Sequence, residues 1–254
     1  MLSRSGLRAA LAAVAALGMT AMAVAPAAAF TDAEKAELGP VIREYLIKNP
    51  EVLQEAISVL EKRQSDAEAQ ARAKTLADIK PLVFDSPRGV VIGNPKGNVT
   101  LVEFFDYNCG YCKHALSDIN ALVKANPNLK VVLREFPVLG PGSVEAAQVA
   151  VAVRMVAPDK YMAFHQALLT GRGQADRARA LAAAKEVGID TALLQKQASS
   201  PELNATLDES MKIAQALGLN GTPSFVIGDD VIVGAVGLEK LQQAVTAGGK
   251  TSTN

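Results

Sequence analysis

Cys109 and Cys112 stand three apart directly behind an apolar run, Val99–Phe105 (VTLVEFF), and the chain has no other cysteines. The run is apolar enough for a strand buried on both faces. Beyond the cysteines, Ala115, Leu116, Ile119, Leu122 and Val123 mark one face of a helix, which Asn126-Pro127-Asn128 closes. Lys130–Phe136 (KVVLREF) then reads as another strand. Strand, helix and strand in that order predict a parallel pair joined by a right-handed crossover. The fold class is therefore α/β, with the cysteines at the junction between a central strand and the helix after it.

Four chemistries can use such a pair. A structural disulfide three residues long closes a very small loop and removes little entropy from the unfolded chain. A zinc site needs three or four ligands. Cys109, Cys112 and His114 would meet awkwardly on one helical turn, and His165 is the only other histidine. Covalent haem attachment wants His directly after the second cysteine, and Lys113 stands there. A redox pair suits the position best. Unpaired N–H groups and the helix dipole at a helix start stabilise a thiolate at Cys109, and Cys112 lies one turn on. Each unit by which a thiol pKa falls is worth ~1.4 kcal/mol and makes the disulfide more oxidising. Gly110 and Tyr111, between the cysteines, carry no charge, which predicts a moderately oxidising pair.

Two further stretches bear on that site. Glu103 lies inside the apolar strand, six residues before Cys109. Buried by strand alternation, it would have a raised pKa suited to exchanging a proton with Cys112. Gly221-Thr222-Pro223 opens another strand, where proline removes a ladder donor. A cis Thr222–Pro223 bond would resolve this and bring proline beside the cysteines. An exposed strand edge there could pair with a substrate backbone. His114 reads as an exposed helix residue, Tyr161 and His165 as packing in a helical region, and Met211 as core filler.

The rest of the chain falls into sections. Residues 1–29 have the layout of a secretory leader: Arg4 and Arg8 without an acid, an apolar run Ala9–Val24, and small residues Ala27-Ala28-Ala29 before a cut at Phe30. Loss of those two arginines takes the neutral chain (26 basic and 26 acidic residues) to a net charge of −2. Near-zero charge, no tryptophan and 4% aromatic residues give no case for a nucleic-acid partner. A helical arm and linker are expected over residues 30–85. Thr31-Asp32-Ala33-Glu34 is a capping box, and Asn49-Pro50-Glu51 ends one helix and starts another. The second helix runs toward Lys80, where Pro81 should end it, a span of ~45 Å. Leu53, Ile57, Leu60, Gln64, Ala67 and Ala71 follow a heptad-like rhythm, which predicts pairing with another copy. The main domain covers residues 86–254. It holds a short strand at 89–92 and a helical insertion at about 141–217, broken near Pro158, Gly171–Gly173, Gly188 and Pro201. A hairpin at 222–234, a helix at 238–246 and a frayed tail from Gly248 complete it.

Together these parts resemble the thioredoxin superfamily, and within it the DsbA-like branch. The motif is Glu103-Phe104-Phe105, Cys109-Gly110-Tyr111-Cys112, a helical insertion, then Thr222-Pro223. The resemblance implies a thioredoxin fold with a helical insertion. It makes Cys109 the nucleophile, Cys112 the resolving thiol, Glu103 the buried acid and Pro223 the cis proline, with Gly110, Tyr111 and Thr222 beside the substrate. The redox-active Cys109–Cys112 disulfide would serve in place of any cofactor or metal. Cys-Gly-Tyr-Cys with Thr before the proline is similar to DsbC-type isomerases, and the arm resembles the oligomerising segment of ScsC-like proteins. The implied function is a periplasmic thiol–disulfide oxidoreductase, an isomerase or reductase acting as a homo-oligomer, dimeric or trimeric, on unfolded or misoxidised exported proteins. A membrane redox partner protein would recharge it. Two alternatives stand beside this: a dithiol oxidase, and a chaperone or metal-binding module that carries a CxxC.

Overall fold

The computed structural model describes residues 30–251, so the leader expected over 1–29 lies outside it. The chain divides into two compact units after Glu61, within the second helix.

The first unit holds α1 (Asp32–Lys48) and the beginning of α2 (Glu51–Phe84). The capping box forms as read: Glu34 N donates to Thr31 Oγ1 at 3.3 Å, and Thr31 N to the Glu34 carboxylate at 2.7 Å. No residue of α1 is buried. Leu38, Val41, Ile42, Tyr45 and Ile47, with Leu53, Ile57 and Leu60 from α2, are all exposed.

The second unit is built on five strands in the order β1-β3-β2-β4-β5: β1 (Val90–Gly93), β2 (Val99–Phe105), β3 (Leu129–Glu135), β4 (Ser224–Ile227) and β5 (Asp230–Val233). β2 and β3 are parallel across α3 (Gly110–Ala125), and the other pairings are antiparallel. Side chains alternate along β2. Val99, Leu101 and Phe105 share a core with the cysteines, α3, α9 (Leu238–Thr251) and the helical insertion. Val102 and Phe104 face a second core with Leu76 and Val83 of α2 and with Ile213 and Leu217 at the end of the insertion. Both faces of the sheet are thus covered, which accounts for the nearly unbroken apolar run of β2. The insertion comprises α4 (Pro141–Val156), a 3-10 turn at 158–160, α5 (Tyr161–Thr170), α6 (Arg177–Glu186), α7 (Thr191–Lys196) and α8 (Pro201–Ala216). Its breaks fall where the sequence places them.

Several expectations are corrected. α2 runs through Pro81 to Phe84. Arg134 holds its final turn in place by donating from Nη2 to the carbonyls of Leu82 at 2.6 Å and Val83 at 3.1 Å. A buried cation suits the negative end of a helix dipole. Glu209 in turn accepts from Arg134 Nη1 at 3.0 Å and from Arg88 Nη1 at 2.8 Å. Met211 is exposed, because α8 turns Leu203, Leu207, Ser210, Ile213 and Ala214 inward instead. Residues 247–251 continue α9, and the rest of the tail expected from Gly248 lies outside the described residues. A Cβ on Gly248 would lie 3.3 Å from Ile227 Cγ1 and 3.5 Å from Val99 Cγ1, so glycine lets this helix lie close to the sheet. β4 begins at Ser224, not Thr222, and lies between β2 and β5, so it offers no free sheet edge.

Leu76 and Val83, inside the span read as arm and linker, are fully buried in the second core. Replacing Leu76 with alanine should cost ~2–5 kcal/mol of stability in denaturant unfolding. A loss below ~1 kcal/mol would mean that this stretch of α2 adds little to the core.

Candidate active site

The end of β2 delivers the site. Cys109 is the N-cap of α3, and its N–H donates to Asp106 O at 3.1 Å in the turn leaving the strand. Its Sγ donates to the carbonyl of Thr222 at 3.1 Å. Thr222–Pro223 is cis, so the expected bond and the expected neighbour are both present. The chain just ahead of β4, not a sheet edge, is what meets the cysteine. Thr222 Oγ1 is buried and has no hydrogen-bond partner. Cys112 lies in the first turn of α3 and is 1% exposed. Burial pushes its thiol well above the ordinary range, and the nearby Glu103 charge and Cys109 add to the rise. Gly110 is exposed, and Tyr111 projects into solvent with 68% of its surface open. His114 is exposed too, its Nδ1 2.9 Å from Gly110 O.

Glu103 is buried, 4% exposed, on the β2 face shared with the cysteines. Burial alone lifts its carboxyl to about 8. A thiol that resists ionising thus stands near an acid that changes charge near neutrality, a pairing able to pass a proton either way.

Sequence reading did not find two other parts of the site. Asp106 is 1% exposed and ties the turn before Cys109 to the loop after β3. An Asp two residues before Asn at a strand end is a turn signal, and it was available. The second is a buried chain of four groups. Tyr161 donates to Glu135 Oε1 at 2.7 Å, Tyr107 Oη lies 3.4 Å from Tyr161 Oη, and His165 Nδ1 lies 3.2 Å from Tyr107 Oη. Burial lifts Glu135 to about 8 and lowers His165 to about 3. Tyr161 and His165 do pack in the insertion as expected, and they also join it to the residue two before Cys109.

A strand leading into a Cys-x-x-Cys helix start, with the carbonyl before a cis proline against the first sulfur, defines a thioredoxin-fold oxidoreductase. The DSBA-like thioredoxin domain matches residues 100–246, and the chain belongs to that family. The copper resistance protein ScsC N-terminal domain matches residues 34–67. A thioredoxin-like oxidoreductase from Silicibacter pomeroyi is 47% identical, with 67% of this chain and 98% of that one covered and a TM-score of 0.65. The thiol-disulfide exchange protein alpha-DsbA2 from Wolbachia pipientis is 31% identical, covering 71% and 97%, with a TM-score of 0.66. Proteus mirabilis ScsC in a transitional conformation is 30% identical, covering 88% and 98%, with a TM-score of 0.64. Among curated proteins the chain matches the Na(+)/H(+) antiporter NhaA 1 of Salinispora arenicola, at 27% identity over 165 residues. It spans about a quarter of the length of such relatives, 25% in that case.

Proposed function

We propose that this chain is a periplasmic thiol–disulfide oxidoreductase that reduces or isomerises disulfides of exported proteins. The observation that carries the proposal is Cys109 at the start of α3, its sulfur on the Thr222 carbonyl, with buried Cys112 and Glu103 behind it. The Cys109 thiolate attacks one sulfur of a substrate disulfide. That S–S bond breaks, a mixed disulfide forms, and the other substrate sulfur leaves as a thiolate. In reduction, Cys112 gives its proton to Glu103 and attacks Cys109, closing the Cys109–Cys112 disulfide and releasing a second substrate thiol. In isomerisation, a substrate thiol attacks the mixed disulfide and returns Cys109 unchanged. No cofactor beyond the cysteine pair enters either route.

Isomerisation favours several sites facing one misfolded chain. The exposed apolar side chains of residues 38–60 fit an arm that assembles dimers or trimers. Among the described residues no helix is long and apolar enough to cross a membrane. Export into the periplasm rests on the leader read in residues 1–29, and recharging by a membrane redox protein on the resemblance to DsbA-like proteins.

The second reading is a dithiol oxidase, which runs the same steps in reverse, and the family's DsbA-like domain favours it. The two separate in one experiment. Mature protein is added in catalytic amount to a scrambled multi-disulfide protein in glutathione buffer, and then to the same protein reduced. Recovery of native activity from the scrambled form supports the isomerase. Fast oxidation of the reduced form without that recovery supports the oxidase. A chain lacking residues 30–61, which leaves Leu76 and Val83 in place, then tests the arm: full isomerase activity in a monomer would remove it from the mechanism.

A further inference from the structure

We infer that Asp106 is a positioning residue that holds an apolar shelf, Val138–Leu139, in fixed register with Cys109, and so governs how tightly a protein substrate docks. The inference rests on the proposed role of Cys109 as nucleophile.

The carboxylate of Asp106 gathers three segments. Oδ1 accepts from Asn108 N at 2.8 Å and from Ser143 Oγ at 2.7 Å. Oδ2 accepts from Val138 N at 2.8 Å and from Leu139 N at 3.0 Å. Asn108 extends the connection, donating from Nδ2 to Ser143 Oγ at 2.9 Å and to Ala175 O at 2.8 Å, and accepting from Ala175 N at 2.7 Å. The Asp106 main-chain carbonyl meanwhile holds Cys109 N. One residue therefore fixes the backbone of the nucleophile through its carbonyl and the loop after β3 through its side chain.

That loop is built to present side chains outward. Its consecutive amides at 138 and 139 both point inward to one carboxylate oxygen. Val138 and Leu139 remain 40% and 51% exposed. Gly140 takes φ 114, a conformation closed to most residues, and turns the chain into α4. An apolar pair kept in solvent, on a loop pinned to the redox turn, suits an extended apolar segment of an unfolded chain whose disulfide has reached Cys109. Asparagine at 106 would put an NH2 group where two N–H or O–H donors now converge, and the shelf would come loose from the turn.

The test uses the mature protein with Asp106→Asn, Leu139→Ser and the double variant. Three quantities are read: kcat and KM for reduction of a multi-disulfide protein, and the rate at which iodoacetamide alkylates reduced Cys109. Losing one buried acceptor's geometry should raise KM about tenfold in Asp106→Asn. Leu139→Ser should raise it about threefold, and the double variant should do no worse than Asp106→Asn alone. Alkylation should stay within about twofold throughout, since a small reagent needs no shelf. The inference is overturned by an unchanged KM. It also fails if alkylation falls in step with protein turnover, or if the two effects are additive. Should Asp106→Asn not fold, Ser143→Ala removes one of the four donors and must show the same KM-selective loss, or the inference fails. A Cys109→Ala control tests the nucleophile alone: turnover surviving there would overturn the role of Cys109, whatever Asp106 does.

Discussion

Cys109→Ala will lack thiol–disulfide exchange on protein and small disulfides alike, while Cys112→Ser will accumulate mixed disulfides with its substrates. The asymmetry follows from position, since both thiols are buried. Cys109 begins α3 and its sulfur meets a backbone carbonyl, whereas Cys112 lies one turn inside the helix and burial holds its thiol far from ionising. Loss of the attacking sulfur removes the covalent route, a drop on the order of a thousandfold or more in kcat/KM. Loss of the resolving sulfur halts the reaction one step later. Non-reducing gels of the Cys112→Ser protein mixed with scrambled, disulfide-bearing substrate will show the adduct. An adduct that forms with Cys109→Ala instead would exchange the two roles.

Glu103→Gln will be more stable than the native chain at pH 9 and no more stable at pH 4. The carboxyl titrates at about 8 when folded, against an ordinary value of 4.5. The folded state therefore binds this proton more tightly than the unfolded state. Its contribution is complete below pH 4.5 and is lost as pH rises through 8. Glutamine cannot ionise and escapes that loss, which is on the order of 5 kcal/mol. Glu135 has the same sign and its folded value is also about 8, so the variant retains a residual downward slope. His165 acts oppositely, favouring the fold as pH rises from 3 toward 6.5, but equally in both proteins. Denaturant unfolding across this range gives the difference directly, and equal stabilities at pH 9 would show that Glu103 is not desolvated. The same substitution removes a proton acceptor from Cys112. Resolution of the mixed disulfide should slow about 100-fold in rapid-mixing experiments. A variant with higher stability and an unimpaired resolving step would separate burial of this acid from any part in proton transfer.

The two cysteines, Glu103 and Thr222-Pro223 were legible because each breaks a local rule: an acid in an apolar strand, a proline at a strand start, a thiol pair at a helix start. The break points of the helical insertion were legible for the same reason, since proline and glycine act on their immediate neighbours. What escaped was long-range. Glu135, Tyr161, Tyr107 and His165 look ordinary in their own segments, and only the fold brings Tyr107 to His165 across 58 positions. Pro81 was read as a stop because its local cost is plain, while the guanidinium of Arg134 that holds the turn comes from another strand. Met211 was judged by its hydrophobicity without the phase of its helix. Gly248 opens the stretch that reads as a frayed tail, although its small size is what admits α9 to the sheet.

The burial of Leu76 and Val83 gives α2 an uneven resistance to opening along its length. Amides near Val83 sit in a packed core and can exchange with deuterium only when the sheet itself comes apart. Those near Leu53 and Ile57 have no buried side chain to hold them, and in an isolated chain their hydrogens will be lost early. Slow exchange over residues 38–60 would therefore report something laid over the arm from outside, and how far that protection extends would mark out the footprint of the covering molecule.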